Sequence, residues 1–279
     1  MCKAGKWLLA AFVFTAVSQV AADDVRLKEI SSNVLDDMYQ GCRSQAMEKV
    51  FSSGLLETEL RQDEAFQKKW NAYANCSKQI PGGKHEHSVA ISAYTDGTQD
   101  FQLSFDNAVE TMGGNISTYT DHFHFKSLYF LLMDSMMLVN PAKCMPTYAL
   151  TDEDDAPQIG STLTFGRFIT VYSDIKNLER DSDLFDRIVL KITTCFFVNL
   201  ETHSCSKQKK KLLLSPAERF TVADVKHVED ENNDYTLVVL NHLKLHSEHN
   251  CYIFSGAPAV LSTLWFVPVF LALTGFFNC

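Results

Sequence analysis

Nine histidines are the first candidates for chemistry, and most gather at His85/His87, His122/His124 and His242/His246/His249. Imidazole suits zinc ligation or proton transfer. Positions two apart on a helix point to different sides, so the first two pairs are poorly placed to share a metal. On a strand, His242 and His246 would share a face with Lys244 between them. These histidines therefore read as solvated surface residues, and no metal is expected. Lys207-Gln208-Lys209-Lys210-Lys211 is the basic run of the chain. It reads as a solvated strand edge, where lysines block pairing with other chains. The sequence has no G-x-S-x-G elbow, no H-E-x-x-H and no paired carboxylates in an obviously apolar setting. It also lacks G-x-G-x-x-G and G-x-x-x-x-G-K, so a bound dinucleotide would not rest on a Rossmann or P-loop helix.

The ends of the chain set the compartment in which any chemistry would occur. Residues 1–22 run from Lys3 and Lys6 through the apolar stretch Trp7–Val17 to the small residues Val20-Ala21-Ala22. That is the layout of a secretory signal peptide cleaved before Asp23. About 11 apolar residues are too few for a membrane core that needs roughly 20. Ala257 to Cys279 carries no charge and follows Ser255-Gly256. Small residues before an apolar tail suggest a lipid-attachment signal over 256–279, with Ser255 as the attachment point. A tail embedded in the membrane is the alternative. Of the 25 basic residues only Lys3 and Lys6 lie in these ends, and of the 34 acidic residues none does, which leaves segment 23–255 a formal net charge of −11. Such an acidic segment argues against a nucleic-acid partner, because phosphate neutralisation needs clustered Lys and Arg. The expected location is the extracellular face of the plasma membrane, held on the outer leaflet, or the medium.

An oxidising compartment turns cysteine into disulfide before metal ligand. Cys42, Cys76, Cys144, Cys195, Cys205 and Cys251 remain once the ends are removed, and no pair has C-x-x-C spacing. Six cysteines allow 15 connectivities. Asn75-Cys76-Ser77 and Asn115-Ile116-Ser117 are N-glycosylation acceptors.

The elements that would carry these residues change texture near Pro146. Met38, Cys42, Met47 and Val50 form one apolar stripe at helical spacing, and Leu55, Leu60, Phe66, Trp70 and Tyr73 form another. His122–Val139 is an apolar run too long for a strand and predicts a buried helix. Gly82-Gly83 and Gly113-Gly114 mark loops. Beyond Pro146, Leu163–Tyr172, Arg187–Leu200, Lys211–Leu214, Glu218–His227, Tyr235–Leu245 and Asn250–Phe254 read as strands. A helical part over 30–145 followed by a β-rich part over 146–255 makes one α+β domain rather than alternating βαβ units.

Five blocks then carry a specific resemblance. Asp36-Asp37-Met38-Tyr39-Gln40-Gly41-Cys42, Phe123–Leu132, Phe165-Gly166-Arg167-Phe168, Thr193-Thr194-Cys195 and Leu212–Phe220 are similar to stretches of the vertebrate ecto-mono-ADP-ribosyltransferases, in family order. The resemblance implies a helical part packed on a β-core of two sheets with a cleft for NAD. It implies the bridges Cys42–Cys251 and Cys144–Cys195, leaving Cys76 and Cys205 as a third bridge or free thiols. The first bridge would close a loop of about 210 residues, worth about 4–5 kcal/mol in the chain-entropy model.

Family chemistry attacks the nicotinamide ribose C1′ through an oxocarbenium-like state and passes ADP-ribose to a protein arginine. It uses an arginine, a serine and a glutamate, with a second glutamate two residues earlier that selects arginine. The matching positions here hold Ala149 after Cys144-Met145-Pro146-Thr147-Tyr148, Thr170 in Thr170-Val171-Tyr172, and Lys209 and Lys211 ahead of Leu212. All depart from the family pattern. The resemblance therefore implies a catalytically impaired surface protein that binds a protein partner, or NAD without turnover. The alternative is an active NAD(P)(+)–protein-arginine ADP-ribosyltransferase with NAD as co-substrate, an arginine-containing protein as acceptor, and Glu201 or Glu218 as a displaced acid. A purely structural module is the third reading.

Overall fold

The computed structural model describes residues 24–139, 143–229 and 234–254. The expected signal peptide, the apolar tail and Ser255 lie outside them. After a short strand β1 (Lys28–Glu29) the chain is helical: α1 (Arg43–Met47), α2 (Leu55–Gln62), α3 (Glu64–Ala72), α4 (His85–Thr95), α5 (Gln99–Thr111), α6 (Ile116–His122) and α7 (Lys126–Val139). Asp63 starts α3 by accepting the Phe66 N–H at 2.8 Å, and Asn115 starts α6 by accepting from Ser117 and Thr118. The predicted buried helix begins at Lys126 rather than His122, because α6 ends at His122 and Phe123 turns extended. Every residue from Ser127 to Met136 is buried, as an all-round apolar helix requires. Its first turn is capped from outside: Glu59 of α2 accepts the Lys126 and Ser127 N–H groups at 2.8 and 2.9 Å. A carboxylate at that helix end also meets the positive pole of the dipole.

The β part contains β2 (Met145–Thr151), β3 (Thr162–Thr164), β4 (Ile169–Tyr172), α8 (Ile175–Asp181), β5 (Arg187–Thr194), β6 (Phe197–Asn199), α9 (Leu200–His203), β7 (Lys211–Leu214), β8 (Glu218–Glu229) and β9 (Asp234–Leu245). The strand order is β1-β3-β8-β9-β5-β2-β4-β7-β6, with β5 and β9 parallel and the other pairs antiparallel. The two sheets expected from the resemblance appear as two halves joined by one residue pair, Tyr148 with Tyr172. The predicted strand Leu163–Tyr172 splits at Gly166, whose φ of +69° suits a glycine, and the chain passes there from one half to the other. Strand β2 was not among the predicted strands, and Pro146 is the reason. It is tolerated because β2 pairs with β4 only at Tyr148, which leaves the missing N–H no ladder partner to lose.

Asn250–Phe254 is not a strand. N–H groups of this stretch and of the two residues before it go instead to two buried carboxylates near the other end of the chain. Asp36 accepts the N–H groups of Glu248 and His249, and Asp37 those of Cys251 and Tyr252, at 2.8–3.0 Å. The segment then closes as a 3-10 turn, Tyr252–Phe254. Cys42–Cys251 crosses the same contact, Cys144–Cys195 ties the start of β2 to the end of β5, and Cys76–Cys205 makes a third bridge. Among the described residues no helix is long and apolar enough to cross a membrane.

The buried carboxylates give the fold a pH signature. Burial pushes Asp37 up to about 6 and raises Glu59 as well. An unfolded Asp titrates near 3.9, so from about pH 4 to 6 the folded state holds a proton that the unfolded chain releases. Stability must therefore fall as pH rises through that window, by up to about 3 kcal/mol for Asp37. His249, raised by its hydrogen bond to Asp36, acts in the same sense. Asp36 and Asp134 lie below the usual range because of their His and Arg partners, and their contribution is lost only in stronger acid. Calorimetry should give a higher Tm at pH 5 than at pH 8, with a flatter profile for Asp37→Asn. A Tm that climbs from pH 5 to 8 would contradict this account.

Candidate functional site

Strand registers place the four positions singled out in the sequence. Thr170 lies on β4 opposite Leu213, and Lys211 opens β7 opposite Tyr172. Thr170 and Lys211 are thus diagonal neighbours on one face, shared with Tyr172 and Tyr148. Ala149 follows Tyr148 on β2 and points the other way, opposite Leu190. It is 2% exposed and packs in an apolar cluster with Ile169, Val171, Leu190 and Ile192. Lys209 is exposed in the turn before β7. The structure brings Thr170 and Lys211 onto one face, leaves Lys209 at its margin and excludes Ala149.

The basic run is not a strand edge. Strand β7 has β4 on one side and β6 on the other, so it sits inside the sheet. Lys207–Lys210 belong to the loop ahead of it, which the Cys76–Cys205 bridge fastens to the helical part. The Lys210 carbonyl accepts from Ser173 N and Oγ at 2.9 and 3.0 Å, and Lys210 has a left-handed φ of +58°. That connection fixes where β7 starts. Lys211 Nζ then lies 4.8 Å from the centre of the Tyr172 ring, a cation–π distance.

Both candidate replacement acids have partners of their own. Glu218 is fully buried, and both oxygens are committed. Oε2 accepts the Thr194 hydroxyl at 2.6 Å, while Oε1 accepts the Cys195 N–H at 2.8 Å and lies 2.7 Å from His242 Nδ1. It pins together the ends of β5, β8 and β9, and burial raises its pKa. Glu201, exposed on α9, turns to Lys210, with Oε2 3.9 Å from Nζ. The Cys195 sulfur also lies within 4.8 Å of Glu218 and His242 ligand atoms, but its bond to Cys144 leaves no thiolate to bind a metal.

His85, His122 and His124 are exposed, as their spacing suggested, whereas His87, His242, His246 and His249 are less solvated. His87 is fully buried, with Nε2 2.8 Å from Asp134, and Asp134 also takes Arg43. His249 is buried against Asp36. His242 serves Glu218, and His246 lies 2.7 Å from Glu248. His122 and His124 line an open apolar groove of about 770 Å³ with Leu103 and Phe125. Partner carboxylates distant in sequence explain the burial, and spacing along the chain cannot reveal them. The Asp36/Asp37 clamp was legible only as part of a block resembling the family, without its partners.

A second cavity of about 390 Å³ opens beside Thr170, lined by Asp24, Arg26, Tyr94, Asp106, Asp152 and Arg167 among others. Its charges have partners: Arg26 bonds Asp152 at 2.8 Å, Asp24 takes Arg187 at 2.6 Å, Arg167 lies 3.8 Å from Glu110, and Tyr94 Oη lies 2.9 Å from Asp106. The asparagines of the two glycosylation motifs are exposed, and Asn115 caps α6 through Oδ1, which leaves Nδ2 open.

Residues 28–247 match the sequence profile described as ART: NAD:arginine ADP-ribosyltransferase. The chain is 26% identical over 208 residues to human ecto-ADP-ribosyltransferase 5, covering 69% of this chain and 70% of that protein. It is 25% identical over 266 residues to mouse ecto-ADP-ribosyltransferase 4, covering 88% and 84%. Rabbit GPI-linked NAD(P)(+)--arginine ADP-ribosyltransferase 1 is 26% identical over 67% of this chain and 63% of its own. Among solved structures, the eucaryotic mono-ADP-ribosyltransferase ART2.2 superposes with a TM-score of 0.61 at 22% identity, over 78% of this chain and 95% of that one. A mutant of that enzyme in complex with NADH gives 0.59 at 21% identity, over 79% and 96%. These likenesses establish the α+β fold.

Proposed function

Because the chain belongs to the NAD:arginine ADP-ribosyltransferase family, we propose that it is a surface member that has lost ADP-ribose transfer and acts by binding a partner. One observation carries this reading. Lys211, which the resemblance sets at the family glutamate position, holds its ammonium over the Tyr172 ring, while Glu218 and Glu201 have partners of their own. A cation there opposes the positive charge that develops on the ribose, where a preorganised carboxylate would normally supply a leading catalytic term. Ala149, buried among aliphatic side chains, offers no charge to a pyrophosphate. NAD enters this reading only as a ligand without turnover. The test is direct: the secreted ectodomain, residues 23–255, is incubated with labelled NAD and an arginine-rich acceptor protein. No label should reach the acceptor and no nicotinamide should be released; either product in excess of a heat-treated control would reject the reading.

The ecto and GPI-linked relatives support a place on the outer face of the plasma membrane. With Ser255 as the lipid attachment point, phosphatidylinositol-specific phospholipase C should release the protein from intact cells. Retention after treatment, together with a surviving tag beyond Cys279, would instead mean a tail embedded in the membrane.

A further inference from the structure

Strands β2, β5, β8 and β9 come together around the Cys144–Cys195 bridge. Cys144 stands directly before Met145, which pairs with Thr194, so the bridge ties the start of β2 to the end of β5. Glu218 opens β8, and His242 lies on β9 opposite Phe220. The pairing of Thr193 with Asn241 brings His242 to the same end of β5. Cys195 Sγ, a Glu218 carboxylate oxygen and a His242 ring nitrogen therefore lie within 4.8 Å of one another. Cys144 Sγ, bonded to Cys195, adds a fourth donor atom. Among the described residues this is the one such gathering of cysteine, histidine and carboxylate. Glu218 is held fully buried by the Thr194 hydroxyl at 2.6 Å and the Cys195 N–H at 2.8 Å. Cys144 is exposed and the His242 side chain is 25% exposed, so solvent reaches the cluster from one side.

Two thiolates, an imidazole and a carboxylate form a donor set that suits zinc and not calcium or magnesium. Tetrahedral zinc holds such donors about 3.3–3.8 Å apart. The imidazole, the carboxylate and the Cys195 sulfur thus need to shift by about 1 Å at most, while the two sulfurs part once their bond is cut. We propose that Cys144, Cys195, Glu218 and His242 form a zinc site that opens when a dithiol reductant cuts the Cys144–Cys195 bridge. One thiolate of the reductant attacks the Cys144 sulfur, and Cys195 leaves as a thiolate. The reductant's second thiolate then closes its own disulfide and releases Cys144. Two electrons pass from the dithiol to the bridge, and the two thiol protons go to solvent. Zinc takes the place of the hydrogen between Glu218 Oε1 and His242 Nδ1, now 2.7 Å apart. His242 ligates as a neutral ring with its proton on Nε2. The Thr194 hydroxyl and the Cys195 N–H stay on the carboxylate and orient it. The metal replaces the lost bridge as the tie between β2 and β5. The site shares no residue with Thr170, Lys209 or Lys211, so it stands whether or not transfer has been lost.

Cobalt(II) and zinc titrations of the purified full chain, with and without a phosphine, test it. The phosphine supplies the same two electrons without offering thiols to the metal, and the metal is present before reduction so that thiolates are captured as they form. The reduced protein should bind cobalt with the near-ultraviolet band of thiolate ligation and the visible bands of a tetrahedral site, and zinc should displace it. The oxidised protein should show neither band. Zinc should raise the Tm of the reduced protein and leave that of the oxidised protein unchanged. Cys144→Ser and His242→Ala should each lower cobalt affinity by at least about tenfold after reduction. Reduction also opens the other two bridges, but metal held there would be indifferent to His242. Should Cys144→Ser fail to fold by circular dichroism, His242→Ala, at a partly exposed position, carries the comparison. Equal metal binding by the oxidised protein, no thiolate band after reduction, loss of the folded spectrum despite added zinc, or an affinity unchanged by His242→Ala would overturn the proposal.

Discussion

Replacing Cys42 and Cys251 by serine should destabilise the domain by roughly 5 kcal/mol, the chain-entropy value for a bridge across a sequence separation of 209 residues. For a domain of this size that corresponds to a fall in Tm of roughly 10–20 °C. The effect acts mainly on the unfolded chain, because the folded contact has a second fastening. Asp36 and Asp37 still accept the N–H groups of Glu248, His249, Cys251 and Tyr252, and these charge-assisted bonds keep the two segments together in the native state. The variant should therefore fold to the same structure with faster local opening of its last residues. Adding Asp37→Asn should cost more in the variant than in the parent protein, since the clamp then carries the contact alone. Scanning calorimetry checks the first number. A Tm shift below about 3 °C, or peptide mapping that pairs Cys42 with any other cysteine, would contradict it.

How much of this was readable from sequence depended on the range of the interaction. Helical and β-rich halves were legible because periodicity is local, and Lys126–Val139 declared itself by being apolar on every side. Failures came where a distant group overrode local pattern. Asn250–Phe254 has strand composition, yet Asp37, more than 200 positions earlier, captures the N–H groups of Cys251 and Tyr252. Met145–Thr151 was hidden by Pro146, whose cost vanishes only because one flank of β2 is nearly unpaired. His87, His242 and His249 looked solvated because Asp134, Glu218 and Asp36 are invisible to spacing. At the candidate site the residue types were legible at once, but their directions were not. Only the β2–β4 and β4–β7 registers reveal that Ala149 and Lys211 face opposite sides of the sheet.

That geometry shapes the outcome of any attempt to restore the family chemistry. Two unit charges about 4 Å apart interact by roughly 4 kcal/mol at an effective dielectric of 20. Exchanging attraction for repulsion at Lys211 can thus raise the barrier by up to roughly 8 kcal/mol, about five to six orders of magnitude in rate. Solvent and the flexible lysine stem reduce the figure, yet half of it still leaves little turnover. Lys211→Glu alone should restore nothing, because Lys209 still repels an incoming arginine and Thr170 and Ala149 are unchanged. Thr170→Ser, Lys209→Glu and Lys211→Glu together alter groups at or near the surface of one face, so that variant should fold and still transfer no ADP-ribose. Adding Ala149→Arg meets a different obstacle. It drives a guanidinium into the cluster of Ile169, Val171, Leu190 and Ile192, where an unpaired charge costs several kcal/mol. The fourfold variant should therefore lose more than 10 °C of Tm or fail to be secreted, rather than become an enzyme. A fourfold variant with the parent Tm that hydrolyses NAD would show that the apolar packing at Ala149 is no barrier. Arginine-directed transfer by the unmodified ectodomain would remove the electrostatic argument altogether.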